Sequence, residues 1–351
     1  MMMTSEDRLL GNIKKYAARN YQNEAHSIWH RLPIARRSAV FILLFLGSAG
    51  ELRVVLTKRS SKLRNFPGHV SFPGGKADDG LESEWQVSRR EMEEEIGLDS
   101  NNETLLKNHG ISIEHINALP CFLSRTFSAV RPCVGFMRFS NENEVLSSLK
   151  LKLNPGESSS IFSCPLRDFL YPATKEPARE ALERVSHRIK WGGIPWSLRS
   201  YTFPYLNENE ASWLNAIQDT SATESETSES ETEDSSVSEK VSKKNKLSSW
   251  GRLGSRRDSE TSEKIYDVWG LTANILHELA CIVYLPENQK LNTEIGEEEL
   301  IYSIWKFGNQ MRQKDRSPEE VKLINSNASS DFGFGDILPR SEFLRLKQVY
   351  K

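Results

Sequence analysis

The chain has 351 residues, 38% of them hydrophobic and 27% charged, with a formal net charge of −2. That composition describes a soluble globular protein with enough apolar sequence for one sizeable core plus extensions, or for two modest domains. Its charge is mixed apart from a Ser/Thr/Glu-rich run at 219–239 and basic residues from Lys240 to Arg257, which argues against a nucleic-acid or membrane-surface partner.

Residues 1–37 scatter basic side chains among Glu6, Asp7 and Glu24 and lack the apolar stretch of a secretory signal, so they read as a short docking helix, with a mitochondrial presequence as the alternative. "AVFILLFLG", from Ala39, is less than half the ~20 residues a membrane-spanning helix needs. Followed by "GSAGE" and "LRVVLTKR", it predicts a β-hairpin, because apolar runs flank a glycine-containing turn. Next comes "LTKRSSKLRNFPGHVSFPGG", whose Gly74 and Gly75 mark a tight turn or a close approach to a ligand. "REMEEEIGL", residues 90–98, then stacks four glutamates in a predicted helix. Glu91, Glu94 and Glu95 share one face at offsets of three and four, while Trp85, Met92 and Ile96 form an apolar stripe elsewhere, so the stripe is expected to bury itself and turn the acids outward. Gly97 supplies the left-handed stop, and Arg90, one turn before Glu94, can pair with it.

Like charges one turn apart cost about 0.2–0.5 kcal/mol per pair, so the stack asks for compensation. A hard divalent cation fits, because magnesium takes oxygen ligands and keeps waters and substrate phosphates in its shell. An exposed acidic helix is the bland alternative; the order strand, diglycine loop, acidic helix favours the metal site, with a loop carbonyl as a further ligand.

Downstream, "VRPCVGFMRF" (130–139) predicts a strand, "IFSCPLRDFL" a strand running into a short helix, "RSYTFPYL" (199–206) a strand, and "DVWGLTANILHELACIVYL", from Asp267, a helix. Interleaved strands and helices give the α/β or α+β class. The segment 216–264 is too poor in apolar residues to offset its ordering entropy and reads as a disordered insertion. Its serines, Ser259 among them, are candidate phosphorylation sites where a kinase or partner could engage, the alternative being a solvated spacer. Beyond Pro286 helical character returns, and Ser317-Pro318-Glu319-Glu320 has capping-box spacing. Four dispersed cysteines without a CxxC pair suit a reducing compartment and suggest neither disulfide nor zinc. His69 and His277 lack partner spacing and read as structural, Trp269 and Gly270 read as packing the late helix, with substrate contact as the alternative, and the terminal "QVYK" is not a peroxisomal SKL-type address.

"GGKADDGLESEWQVSRREMEEEIGL" resembles the Nudix box, G-x5-E-x7-R-E-U-x-E-E-x-G-U with U aliphatic: Glu82, Arg90, Glu91, Met92, Glu94, Glu95, Gly97 and Leu98 match. Gly75 lies one residue further from Glu82 than the pattern has it, a spacing that resembles the coenzyme A diphosphatase branch of the family. "LTKRSSKLRNFPGHVSFPGG" is similar to that branch's own signature through Leu63, Arg64, Gly68, Val70 and Phe72, with Phe66 where many members have histidine. "VRPCVGF", "LNPGESSSIFSCPLRDFL" and "VWGLTANIL" extend the likeness over about 38–285.

The resemblance implies a Nudix-type α/β/α sandwich with a mixed sheet at 38–285, interrupted by the insertion 216–264 and flanked by a helical N-terminal extension (1–37) and a helical C-terminal extension (286–351). It implies Mg2+ or Mn2+ held by Glu91 and Glu95, with Glu94 a third ligand or base and the Gly75 carbonyl contributing. Glu94 and Glu157 are the candidate general bases. Arg59 and Arg64, with Gly74, Gly75 and Lys76 of the loop, are expected to bind substrate, the arginines through phosphate. The activity implied is hydrolysis of coenzyme A and its acylated or oxidised forms to 3',5'-ADP and 4'-phosphopantetheine species. The alternatives are a pyrophosphatase for oxidised dGTP and a catalytically silent scaffold; the intact acid set argues against silence, and a messenger RNA decapping role lacks a basic, aromatic surface. The peroxisome is the compartment the resemblance suggests, with the mitochondrion or cytoplasm as alternatives.

Overall fold

In the computed structural model, the described residues are 5–18, 26–140, 149, 151–215, 217, 257, 258, 261–286, 295–326 and 330–351. Most of the segment 216–264 expected to be a disordered insertion, Ser259 included, lies outside them. The mixed sheet is built on β1 (Arg37–Leu46), an apolar run from Ala39 that is continuously buried from Phe41 to Phe45. It pairs in parallel with β7 (Ala129–Phe139), which in turn pairs antiparallel with β5 (Ile111–Ala118). On the other side the sheet splits. At Leu44–Leu46, β1 pairs with β2 (Leu52–Arg59), but at Ser38–Val40 its neighbour is β4 (Gly74–Lys76). Freed from β1, the far end of β2 pairs with β3 (Val70–Ser71), and along its length β2 pairs with β8 (Ser158–Pro165). The split brings the diglycine segment, the end of β2 and the start of β8 to one place. A short β6 (Phe122–Leu123) completes this sheet, and β9 (Glu183–Trp191), β10 (Ile194–Pro204) and β11 (Ile265–Trp269) form a second, antiparallel one.

Alternation along β1 assigns the layers. Ile42 and Leu44 face a core shared with Leu10 and Ile13 of α1 (Ser5–Lys15) and with the buried residues of the later helix Gly270–Tyr284. Phe41, Leu43 and Phe45 face the opposite way, onto Met92 and Ile96 of α2 (Glu84–Ile96) and Leu105 of α3 (Asn102–His109). Helices thus cover both faces of a mixed sheet, the expected α/β/α sandwich. After the short α4 (Ser212–Asn215), the apolar run at 267–285 divides into strand and helix: β11 continues to Trp269, and α5 (Gly270–Tyr284) starts at Gly270 with φ +62°. The expectation of one helix from Asp267 is corrected by that glycine.

Helices α6 (Glu298–Lys306), α7 (Pro318–Asn325) and α8 (Arg340–Val349) follow, α7 with the anticipated capping box at Ser317 and Glu320. They share a third buried cluster with Trp29, with Ala39 of β1, with Val87 of α2 and with Trp191 of β9. Among the described residues no helix is long and apolar enough to cross a membrane.

Candidate active site

Helix α2 is fixed at both ends by its sequence. The Ser83 hydroxyl accepts the Gln86 N–H (3.3 Å) while the Gln86 side chain accepts the Ser83 N–H (2.9 Å), and Gly97 closes the helix at φ 70°, ψ 20°. Met92 and Ile96 are fully buried beneath it. This packing corrects the expectation that all the acids face outward. Of Glu91, Glu94 and Glu95 only Glu94 is exposed; Glu95 keeps 5% of its surface, and Glu91 lies half-buried against the diglycine bend. Helix α2 packs onto both β1 and β4, so its buried stripe is wide enough to take in one edge of the acidic face.

The two glycines make that approach possible. A Cβ on Gly74 would strike the Ala39 carbonyl and Val40, and a Cβ on Gly75 would overlap the Glu91 carboxylate. The Gly74 N–H points at Glu95 Oε1 from 3.4 Å, and the Ser158 hydroxyl donates to Glu95 Oε2, also at 3.4 Å. Burial pushes the Glu95 carboxyl up to about 8; the Arg59 charge and the Gly74 N–H oppose the rise, and the carboxylates of Glu157 and Glu91 add to it. Glu91 is raised for the same leading reason, with Arg90 pulling down and Glu94 and Glu157 pushing up.

Arg90 organises the outer side. Its guanidinium reaches Glu82 Oε1 (2.8 Å), Glu91 Oε1 (3.0 Å) and the Lys76 carbonyl (3.0 Å), with Glu94 further off at 3.5 Å. The expected Arg90–Glu94 pair is therefore present but secondary. The Arg90 hydrogen bond holds the Glu82 carboxyl below the usual range, and Glu82 in turn accepts the Asp78 N–H (2.8 Å), tying the 76–82 loop to the helix.

Glu157 enters from the turn before β8. Its carbonyl accepts the Ser60 N–H (2.8 Å), and its Oε2 is buried without a hydrogen-bond partner. Arg59, at the end of β2, has a buried Nε in the same condition. Glu91, Glu94, Glu95, Glu157, Arg59, Gly74 and Gly75 are thus brought together, whereas Arg64 is exposed in the 60–69 loop and the Lys76 side chain is exposed beside the bend. Sequence reasoning missed Ser158, whose only signal was its place after Glu157.

These residues fit a hard divalent cation by their chemistry. A buried and a half-buried carboxylate with raised proton affinity, a third with an unpartnered oxygen and a backbone stripped of its side chain offer oxygens only, and nearby cationic charge falls short of the acids. Among the described residues no group of three or more His, Cys, Asp or Glu side chains is already gathered as a finished metal cage.

Comparison with known proteins agrees with this geometry. A NUDIX domain model matches residues 35–185. A Saccharomyces cerevisiae protein named peroxisomal coenzyme A diphosphatase 1 is 37% identical, covering 96% of this chain and 94% of its own length. Arabidopsis thaliana Nudix hydrolase 15, mitochondrial, is 34% identical over 51% of this chain and 54% of its own, and Mus musculus peroxisomal coenzyme A diphosphatase NUDT7 is 31% identical over 36% and 46%. A likeness that runs from end to end, and that includes the acidic helix and its diglycine bend, means that the chain belongs to the Nudix hydrolase family, in its coenzyme A diphosphatase branch.

Proposed function

We propose that this chain hydrolyses the diphosphate bond of coenzyme A and its acylated or oxidised forms, giving 3',5'-ADP and the 4'-phosphopantetheine fragment. The end-to-end match to a protein named for that activity is the observation that carries the reading. Nudix hydrolases use divalent metal ions, and here Mg2+ or Mn2+ is proposed. When bound, the ion supplies positive charge for the phosphoryl oxygens as negative charge develops on them.

The chain's own residues supply the rest. Glu91 and Glu95 hold the ion, with Glu94 and the Gly75 carbonyl completing its protein oxygens. Arg90 fixes Glu91 in place and joins it to Glu82, so the ligand cannot swing away from the bend. Glu157 accepts the proton of the attacking water; its buried, unpartnered oxygen supports that role over Glu94, which is exposed and paired to Arg90. Arg59 faces the acids from β2 and contributes cationic charge for a diphosphate oxygen, with the exposed Arg64 of the following 60–69 loop as a second phosphate contact. Peroxisomal residence is proposed on the names of the relatives.

The test is the purified chain with Mg2+ or Mn2+ and a panel of coenzyme A, acyl-coenzyme A, coenzyme A disulfide, oxidised dGTP, NADH and capped RNA, with products identified by mass. Coenzyme A species should yield 3',5'-ADP. Cleavage of oxidised dGTP with coenzyme A left untouched would contradict the reading.

A further inference from the structure

The surface beside the acids is built for more than phosphate. In the β2–β3 ladder, Thr57 stands opposite Ser71 and Lys58 opposite Val70. Continuing that register puts Arg59 opposite His69, whose carbonyl accepts the Arg59 N–H at 2.8 Å. Opposed residues of an antiparallel pair project from the same face, and successive ones alternate. Thr57, Arg59, His69 and Ser71 therefore share a face, and it is the one turned toward Glu95, because Val55, in step with them, packs with Met92 and Ile96 of α2.

Three rings run outward along this edge. Trp269, the last residue of β11, lies against His69 with ring centroids 5.2 Å apart, and His69 lies against Phe66 at 5.4 Å. Phe66 is 45% exposed and sits at φ +53°, a left-handed conformation uncommon for a bulky side chain. An aromatic residue held out of the core in a costly backbone state, on a chain of rings leading to the catalytic face, needs a reason. The polar groups around it supply one. The buried indole N–H of Trp269, Nε of Arg59 and hydroxyl of Ser71 have no hydrogen-bond partners among the described residues. Desolvated donors without acceptors are costly, and an acceptor-rich ligand would satisfy them.

We propose that Phe66, supported by His69 and Trp269, is the platform on which the purine base of the substrate stacks, with the donors of Trp269, Ser71 and Arg59 meeting the ribose and phosphate oxygens that follow it. The assignment deepens the coenzyme A reading and rests on it: the base is the one flat aromatic group of that molecule, and a base joined through ribose to phosphates is the ligand that uses a π-face and a row of donors together. Base–aromatic stacks also tolerate an exposed platform, since the face of the ring does the binding.

The experiment measures equilibrium binding of two probes in Mg2+ buffer: 3',5'-ADP and ribose 3,5-bisphosphate, which differ only in the base. The wild-type chain should bind the nucleotide about tenfold more tightly, the order of effect one stack carries. Phe66→Ala should remove that preference without changing binding of the bisphosphate, and Phe66→Trp should restore it. Phe66 is on the surface, so the variants keep the fold, which circular dichroism checks. Equal binding of both probes to the wild-type chain, no binding of either, or a preference that survives Phe66→Ala overturns the platform. Coenzyme A hydrolysis by the wild-type chain is assayed alongside. Hydrolysis without base preference overturns the platform and leaves the proposed function standing; base preference without hydrolysis supports the platform and removes the proposed function.

Discussion

Gly75 illustrates how little side chain the site can accept. Its backbone is not in the left-handed region, so what it supplies is space: the Glu91 carboxylate occupies the position of the absent Cβ. Gly75→Ala should displace that carboxylate and cut turnover by about 100-fold, the penalty of an ångström-scale misplacement at a reacting centre, with a melting temperature near that of the wild-type chain. Near-normal turnover would show that Glu91 does not act from this position. His277, remote from the acids, makes a separate prediction. Its Nδ1 lies 2.7 Å from the Phe169 carbonyl, and burial, then the Arg199 charge, push its pKa down to about 3. The unfolded chain, with an ordinary value near 6.5, takes up the proton first as pH falls. Stability is therefore lost progressively from about pH 6.5 toward 3. Denaturant midpoints of His277→Gln should show a shallower acid slope, by up to about 1.4 kcal/mol per pH unit; an unchanged slope would contradict the burial argument.

Helix α2 is where sequence and chemistry coincide most fully. Its stop, its apolar stripe and its acid spacing were all legible, because each depends on contacts within four residues along the chain; the capping box at Ser83 and Gln86 went unread. The direction of the acids was not. A 100° wheel groups Glu91, Glu94 and Glu95, but which edge of that group is buried depends on β4 crossing beneath the helix, a tertiary fact. Strand β9 was missed because "ERVSHRIKW" is mostly polar, and it is held as a strand by pairing along nine residues of β10. Strand β5 and the eight-residue α3 went unread, α3 being too short for its periodicity to stand out. Arg90 spans the helix and the loop, and its planar fork suits two carboxylates at once. Arg90→Lys keeps the charge but loses the fork, so turnover should fall at least about tenfold with helix content unchanged in the far-ultraviolet. Full activity in the lysine variant would show that charge alone suffices.

At the scale of the molecule, the segments outside the sandwich are built into its core. Arg36, immediately before β1, and Glu320, in the first turn of α7, are each 1% exposed and meet at 2.7 Å. The arginine also donates to the carbonyls of Phe127, Gln313 and Asp315, and Glu320 accepts the N–H groups of Met311 and Ser317. Glu320→Ala would leave a buried guanidinium unpaired and should cost about 3–5 kcal/mol, read as a fall in denaturant midpoint. A change below about 1 kcal/mol would mean that the C-terminal helices contribute little to the fold that holds the site.

Hydrolysis of coenzyme A by Glu95→Gln, compared with the wild-type chain at saturating Mg2+, tests the whole account most directly. The substitution keeps the shape of a buried side chain and removes the charge that answers a divalent cation. Turnover lower by at least about 100-fold, with an unchanged circular-dichroism spectrum, is the predicted result. Release of 3',5'-ADP at close to the wild-type rate would contradict it.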